Sequence, residues 1–351
     1  MKTITEYSSI AAYSMNNTIS VIIPAYNVGR YIGKCLDTVL SQTHDKLEVI
    51  VVNDGSTDNT ADVISEFMSD ARLRYLEQKN SGVTAARNAG ISAATGDYLT
   101  FVDSDDYLER NMYLELHKAI TEHNADVAVC NYSLVFEDRV EPRYSNMHET
   151  FINVADDVNG YFYKYCACPK PNNYIWTRLY RTEMIKKSGV RFQDFKLGDD
   201  TLFNFMLLPF IKQLVNIDGG YYNYLQRTDS NVYTVAKKVN IAAVYASMFS
   251  FLTDWYIEKG FKAEFMPIYA YTRLRSIFFY SRIAGMADEN IVELIDEGFT
   301  GTALLEHLYD TSQVDGYAGI NGFSTEKAEA IKRIMTSAVK NSKELIGAQI
   351  E

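Results

Sequence analysis

No run of about 18 apolar residues occurs in this 351-residue sequence, so no membrane-spanning helix is expected. Residues 1–17, polar and rich in Tyr and Ser, lack the basic and apolar regions of a secretory signal and read as an N-terminal tail. Positive charge is in deficit: 34 Lys plus Arg stand against 45 Asp plus Glu, a net −11. A chain of that sign is poorly suited to hold nucleic acid through its phosphates, and no nucleic-acid partner is expected. A phosphorylated ligand would need a metal ion to bring positive charge locally. Cysteine is scarce. Cys35, Cys130, Cys166 and Cys168 form neither a CxxC pair nor a zinc-finger frame and are read as reduced thiols of a cytosolic protein. The five histidines, His44, His117, His123, His148 and His307, have neither metal-ligand nor triad spacing. There is no GxGxxG after a strand, which excludes a dinucleotide dehydrogenase.

What is present is ordinary for a globular protein: 47% hydrophobic and 23% charged residues. At ~150 residues per domain, the length suggests two domains or one with an extension. Aromatics reach 13%, with 26 Tyr and 18 Phe; they suit sugar-handling surfaces, and cores and interfaces more often.

From 18 to 132 strand and helix alternate. Apolar strands are expected at 18–25, 47–53, 73–77, 98–102 and 126–132, with helices at 30–42, 61–68, 83–94 and 108–123. Thr57 or Asp58 is the expected cap of the second helix. The nearly continuous apolar run LEVIVVN suits a parallel strand covered on both faces. This order predicts an α/β fold with a mostly parallel, doubly wound sheet, whose ligands bind beyond the carboxyl ends of the strands. Strand-end polar residues Tyr26, Asn27, Asp54, Asn80, Asp103 and Asp105 become candidates. Between 133 and 232 the pattern is mixed: a strand and turn at 135–144, an amphipathic helix at 154–165, a short helix at 182–188, a helix at 199–210 and a Tyr-rich strand at 219–226. From about 236 the apolar spacing is helical, with Ile241, Val244, Met248, Leu252 and Trp255 on one face. The expected organisation is a tail over 1–17, a catalytic domain over 18–235 (halves 18–132 and 133–235) and a helical extension over 236–351.

Four elements carry chemistry. In Phe101-Val102-Asp103-Ser104-Asp105-Asp106 three carboxylates end an apolar strand, and Asp103 and Asp105 point to one side of an extended backbone. Their repulsion calls for a hard divalent cation, Mn²⁺ or Mg²⁺, which takes one or two carboxylates and completes its shell with water and phosphate oxygens. The competing use is a helix cap, with Asp105 or Asp106 at the start of 108–123. In Val51 to Asp58 a strand end meets a turn, where Asp54 either accepts a hydrogen bond from a nucleobase imide or serves turn chemistry. In NSGVTAARNAG, Gly82 permits close approach to a flat base. Arg87 on the following helix offers a fork for a carboxylate or phosphate, or is simply solvated. In LGDDTLF, Asp199 is the expected N-cap and Asp200 sits at the mouth of a helix, ionised, as a candidate general base.

The ordered set ISVIIPAYN, VIVVNDGSTDNT, NSGVTAARNAG, GDYLTFVDSDD, IWTRLYR and GDDTLFN resembles glycosyltransferase family 2, over residues 18 to about 230. The resemblance implies the GT-A (Rossmann-like) fold and a metal-dependent inverting transfer of a sugar from a nucleoside-diphosphate donor, a UDP-sugar. The acceptor implied is a hydroxyl of a glycan, lipid-linked or protein-linked acceptor in polysaccharide or glycoconjugate synthesis. It implies Pro24, Ala25, Tyr26 and Asp54 at the uridine, Asp103 near ribose or metal, Asp105 as the main metal ligand and Asp200 as catalytic base. Asp199 replaces the family's usual Glu. Trp176 and Arg178 match a segment near acceptor and leaving group, and Arg227 matches a diphosphate contact. The QxxRW signature of processive synthases is missing. Two alternatives remain open at this point: a nucleotidyltransferase of related fold, and a non-catalytic sugar-nucleotide-binding or scaffold protein. A dehalogenase-type phosphatase would need its motif on an early strand, not the fourth. The extension is expected to form a homo-oligomer interface. Its segment 270–284 reads as a buried helix with snorkelling Arg, or as a peripheral membrane contact. The expected location is cytoplasmic, at the inner face of the membrane where the acceptor is lipid-linked.

Overall fold

The computed structural model describes residues 17–143, 151–156, 158–161, 172–195, 197–227 and 241–261. Cys166, Cys168, His148, His307, residues 1–16 and the segment 270–284 lie outside them. By contact the chain divides into two units. The first holds residues 1–155, 174–194 and 210–227, and the second 156–173, 195–209 and 228–351.

The first unit is built on one large mixed sheet. Strand β1 (Ile19–Ala25) is buried along its whole length and lies parallel to β2 (Leu47–Asn53) and β4 (Tyr98–Phe101), with β3 (Leu73–Glu77) parallel outside β2. Helices α1 (Ile32–Leu40), α2 (Thr60–Ser65) and α3 (Val83–Ala93) make the crossovers; α3 packs on β1 and β2. The apolar runs ISVIIPA and LEVIVVN are what strands covered on both faces require. Beyond β4 the pairing changes character. β9 (Arg178–Arg181) runs antiparallel between β4 and β6 (Val127–Val135), and β10 (Gln213–Leu225) is parallel to β6. Short β5 (Tyr107–Leu108), β7 (Val140–Arg143) and β8 (Phe151–Asn153) add antiparallel edges. Helix α4 (Met112–Glu122) packs on β6, β9 and β10, and α6 (Thr182–Ser188) on β9 and β4.

Three local expectations are corrected. The helix expected from 108 starts at Met112, behind Asn111, because Tyr107 and Leu108 pair with Asn223 and Tyr222 of β10. Neither Asp105 nor Asp106 therefore caps it. The helix expected over 154–165 begins later: residues 154–156 form a turn after β8, and α5 (Val158–Tyr161) is its described helical part, with 157 and 162–165 outside the described residues. Cap chemistry at the second helix is shared differently as well. Asp58 accepts from the Thr60 amide at 3.0 Å, while Asn59 occupies the N-cap.

In the second unit, α7 (Asp199–Leu207) and α8 (Ile241–Glu258) pack together. Gly198, at φ +79°, is the N-cap of α7, so Asp199 falls in the first turn instead of at the cap. Among the described side chains of α8, Met248, Leu252 and Tyr256 are buried, and the Tyr256 hydroxyl donates to the Phe205 carbonyl at 2.5 Å. The expected stripe is thus shifted at its end from Trp255 to Tyr256. No described helix is long and apolar enough to cross a membrane.

Candidate active site

The register of the parallel strands brings four sequence motifs to one sheet edge. Ala25 lies opposite Asn53, so β1 and β2 end level, while β4 ends at Phe101 opposite Ile22 and its following residues run on along β1 toward the same edge. The Asp54 amide donates to the Ala25 carbonyl at 2.8 Å, and the Val102 amide to that of Ile22 at 3.0 Å. Pro24, Ala25, Tyr26, Asp54 and Asp103 follow along this edge, where open α/β sheets hold their ligands. Tyr26 is 45% exposed and available to a ligand.

The polar turn after β2 is a lacing for the loop after β1. Ser56 Oγ accepts from the Asn27 amide at 3.0 Å, and Asp58 Oδ2 from the Gly29 amide at 3.1 Å. Thr60 Oγ1 takes the Val28 amide at 2.8 Å, and Asn27 Oδ1 accepts the Thr57 amide in return, also at 2.8 Å. Asn27 adopts a left-handed φ of +51° to do this.

Asp54 is 3% exposed and ties the second motif to the third. Its Oδ1 accepts from Gln78 Nε2 at 2.7 Å and the Ser81 amide at 2.8 Å; its Oδ2 accepts from the Gly82 amide at 2.8 Å. Three of about four acceptor positions of the carboxylate are thereby used within the protein. Gly82 sits at φ +90° with open space where a Cβ would point, which suits a flat ligand laid against backbone.

The acidic turn after β4 is the electrostatic centre. Arg87, buried on α3, donates from Nη2 to Asp103 Oδ1 at 2.9 Å and lies near the Phe192 ring. Arg227, just past β10, meets Asp105 Oδ2 at 2.7 Å, with its guanidinium 4.5 Å over the Tyr31 ring. Asp106 faces inward: Tyr222 Oη donates to its Oδ2 at 2.7 Å and the Leu225 amide to its Oδ1 at 2.8 Å. The same Tyr222 hydroxyl accepts the Asp103 amide at 3.1 Å. Burial, then the charge of Asp103, raises the Asp105 carboxyl above its ordinary range. Burial pushes Asp106 well above it, helped by Asp105 and Asp103. The Tyr222 phenol is raised too, by burial and by Asp106.

Behind this turn stands an aromatic column. Trp176, 2% exposed, stacks on Tyr222 at 4.2 Å and on Tyr174 at 4.4 Å. Arg178 is buried on β9, its carbonyl taking the Thr100 hydroxyl at 2.8 Å. Both therefore lie under the edge rather than on it. Asp199 and Asp200 occupy the first turn of α7, in the second unit. Sequence reasoning missed Tyr222 and the Asn88 clip, in which Asn88 donates to the Phe192 carbonyl and accepts its amide, both at 2.9 Å. It also missed Tyr31 as the platform for Arg227. Each pairs residues far apart in the chain, and no local pattern announces them.

Asp103 and Asp105 fit a hard divalent cation by the chemistry of their donors. Both are carboxylates, close in charge, with 28% and 21% of their side chains accessible. No cluster of three or more His, Cys, Asp or Glu among the described residues is placed to hold an ion.

The mixed α/β fold, whose parallel strands carry the acidic turn at their carboxyl edge, is similar to that of GT-A glycosyltransferase structures. S. aureus TarS in complex with UDP-GlcNAc superposes with a TM-score of 0.65 over 95% of this chain and 92% of that one, at 21% identity. The chain belongs to glycosyltransferase family 2: the sequence profile described as Glycosyl transferase family 2 matches residues 20–205. Glycosyltransferase GlyA of Streptococcus pneumoniae serotype 4 is 34% identical over 221 residues, 62% of this chain and 32% of GlyA. EpsH of Bacillus subtilis (strain 168), described as a putative glycosyltransferase, is 31% identical over 242 residues, 67% of this chain and 69% of EpsH. The matched segment thus spans about a third of one relative and two thirds of the other.

Proposed function

We propose that the protein is a metal-dependent, inverting glycosyltransferase that moves a sugar from a UDP-sugar to a hydroxyl of a glycan, lipid-linked or protein-linked acceptor. The observation that carries this reading is the DxD turn that follows β4 at the carboxyl side of the parallel strands, with each of its two carboxylates already matched by an arginine. The UDP and UDP-GlcNAc bound by TarS support a uridine donor. The family match displaces the nucleotidyltransferase and scaffold alternatives.

In this reading Tyr26 and the Gly82 backbone receive the base, beside the buried Asp54 that fixes the turn. Asp105, with Asp103, would hold Mn²⁺ or Mg²⁺, which when bound supplies positive charge to the departing diphosphate. Arg227, two residues beyond β10, contacts the diphosphate. Asp200 takes the proton from the acceptor hydroxyl as that oxygen bonds to the anomeric carbon and the bond to the phosphate oxygen breaks. Attack from the opposite face inverts the centre, so an α-linked donor gives a β-linked product. Asp199, Trp176 and Arg178 serve the acceptor and leaving-group side, the two β9-region residues from beneath the edge.

The test is a donor screen that measures nucleoside diphosphate release with Mn²⁺, with Mg²⁺ and with EDTA. Release from a UDP-sugar that EDTA abolishes is expected. Release indifferent to EDTA removes the cation from the proposal, and no release from any donor removes the activity. We further place the protein in the cytoplasm, at the inner membrane face for a lipid-linked acceptor, with 236–351 as its homo-oligomer interface. A light-scattering mass equal to one chain removes the oligomer.

A further inference from the structure

Two arginines neutralise the acidic turn, and they are held very differently. Arg87 projects from the interior of α3, with 6% of its side chain accessible. Arg227 lies beyond Leu225, the last residue of β10, and Gln226 makes the final backbone bond there, to Val135 at 2.8 Å. Its side chain is 19% accessible and rests on the half-buried face of Tyr31. The strand end itself is fixed, because Asp106 holds the Leu225 amide at 2.8 Å and, through Tyr222, the Asp103 amide at 3.1 Å. One buried carboxylate therefore sets the distance between the acidic turn and the base of the Arg227 side chain, and the guanidinium reaches back from that anchor to Asp105.

We infer that Arg227 is the resident counter-ion of Asp105 and must leave that carboxylate for a divalent cation to bind there. This rests on the cation reading proposed above. A dication beside the guanidinium that holds Asp105 Oδ2 is repelled by it, so Arg227 and a dication compete for Asp105. Arg87, buried on its helix, stays on Asp103 throughout. The displaced guanidinium is a planar fork two residues past an anchored strand end, and the diphosphate is the next anion in its reach. Arg227 thus acts as a positioning residue with two partners: it keeps the empty turn neutralised, and it passes to the donor when the cation takes its place.

The test reads cation binding directly, with no acceptor and no turnover. Mn²⁺ is titrated into the full chain and followed by electron paramagnetic resonance, and UDP affinity is measured separately. Arg227→Gln is expected to bind Mn²⁺ about fivefold tighter or more than the parent chain, and UDP several-fold more weakly. Opposite signs in one variant distinguish a displaced counter-ion from a damaged fold, which would lower both. Tyr31→Leu removes the platform and shifts Mn²⁺ affinity in the same direction by less. Asp105→Asn loses Mn²⁺ binding. Equal or weaker Mn²⁺ binding by Arg227→Gln overturns the inference and leaves the cation reading standing. Absence of Mn²⁺ binding from parent and variant alike, with UDP still bound, overturns both.

Discussion

Asp54 shows how much one buried carboxylate can organise. It converges the amides of Ser81 and Gly82 and the Gln78 side chain on the end of β2. An amide side chain cannot replace it, because either orientation of Asn turns an N–H toward an N–H. Asp54→Asn and Asp54→Ala are both expected to cost about 2 kcal/mol and to raise amide hydrogen exchange at Ser81 and Gly82 at least about tenfold. Unchanged exchange in Asp54→Asn would remove Asp54 as the organiser of that turn. His117 makes a second argument at this scale. Its ring is buried edge-on to Tyr98 and 4.7 Å from His44, and burial together with the His44 charge lowers its pKa to about 4. The fold thus holds His117 neutral, while the unfolded chain takes up a proton as pH falls through about 6.5. Stability is full above pH 6.5 and declines from there toward pH 4, by at most ~1.4 kcal/mol per pH unit for this one proton. Thermal melts across that window should show a shallower decline in His117→Gln than in the parent.

Among the elements, what could be read from the sequence was what local pattern decides. Strands β1, β2 and β4 announce themselves as short apolar runs, and α1 and α3 as amphipathic turns between strands. From their order follows a parallel sheet whose carboxyl edge gathers Asp54, Asp103 and Asp105. What could not be read was decided by partners remote in the chain. Leu108 fits a helix by its spacing, yet it pairs with Tyr222, more than a hundred residues on, and α4 starts late as a result. Asp106 looked like a cap for the same reason, and its true partners sit on β10. Contact between elements also gives Gly90 a reason that spacing alone does not. A Cβ there would come within 2.3 Å of Ile22 Cγ2, so α3 rides on β1 with no room for a methyl. Gly90→Ala gains helix propensity of ~1 kcal/mol, but the overpacking against a buried β-branched side chain outweighs it. A net loss of about 1–2 kcal/mol is expected. Ile22→Ala, alone costing roughly 2–4 kcal/mol, should partly relieve it, so the double variant in denaturant melts falls short of the sum. Strict additivity would mean that helix and strand do not share this contact.

For the whole molecule, the residues assigned to the nucleotide and cation and the residue assigned as base can be tested separately. Every residue assigned to the nucleotide and cation, from Pro24 to Asp105 and Arg227, belongs to the first unit, whereas Asp199 and Asp200 belong to the second. Substitutions should therefore fall into two classes. Asp105→Asn removes a cation ligand while keeping its shape, and it should weaken UDP binding in the presence of Mn²⁺ and depress turnover together. Asp200→Asn removes only proton acceptance, so it should keep UDP affinity within about twofold while turnover falls by ~10²–10⁴-fold, the range a positioned general base supplies. Isothermal titration with UDP and Mn²⁺, set beside the rate of diphosphate release, measures both quantities on the same preparation. Were Asp200→Asn to lose UDP along with activity, the carboxylate would be serving the nucleotide. Were it to turn over at the parent's rate, the proton must go elsewhere, and the neighbouring Asp199 in the same first helical turn becomes the group to replace next.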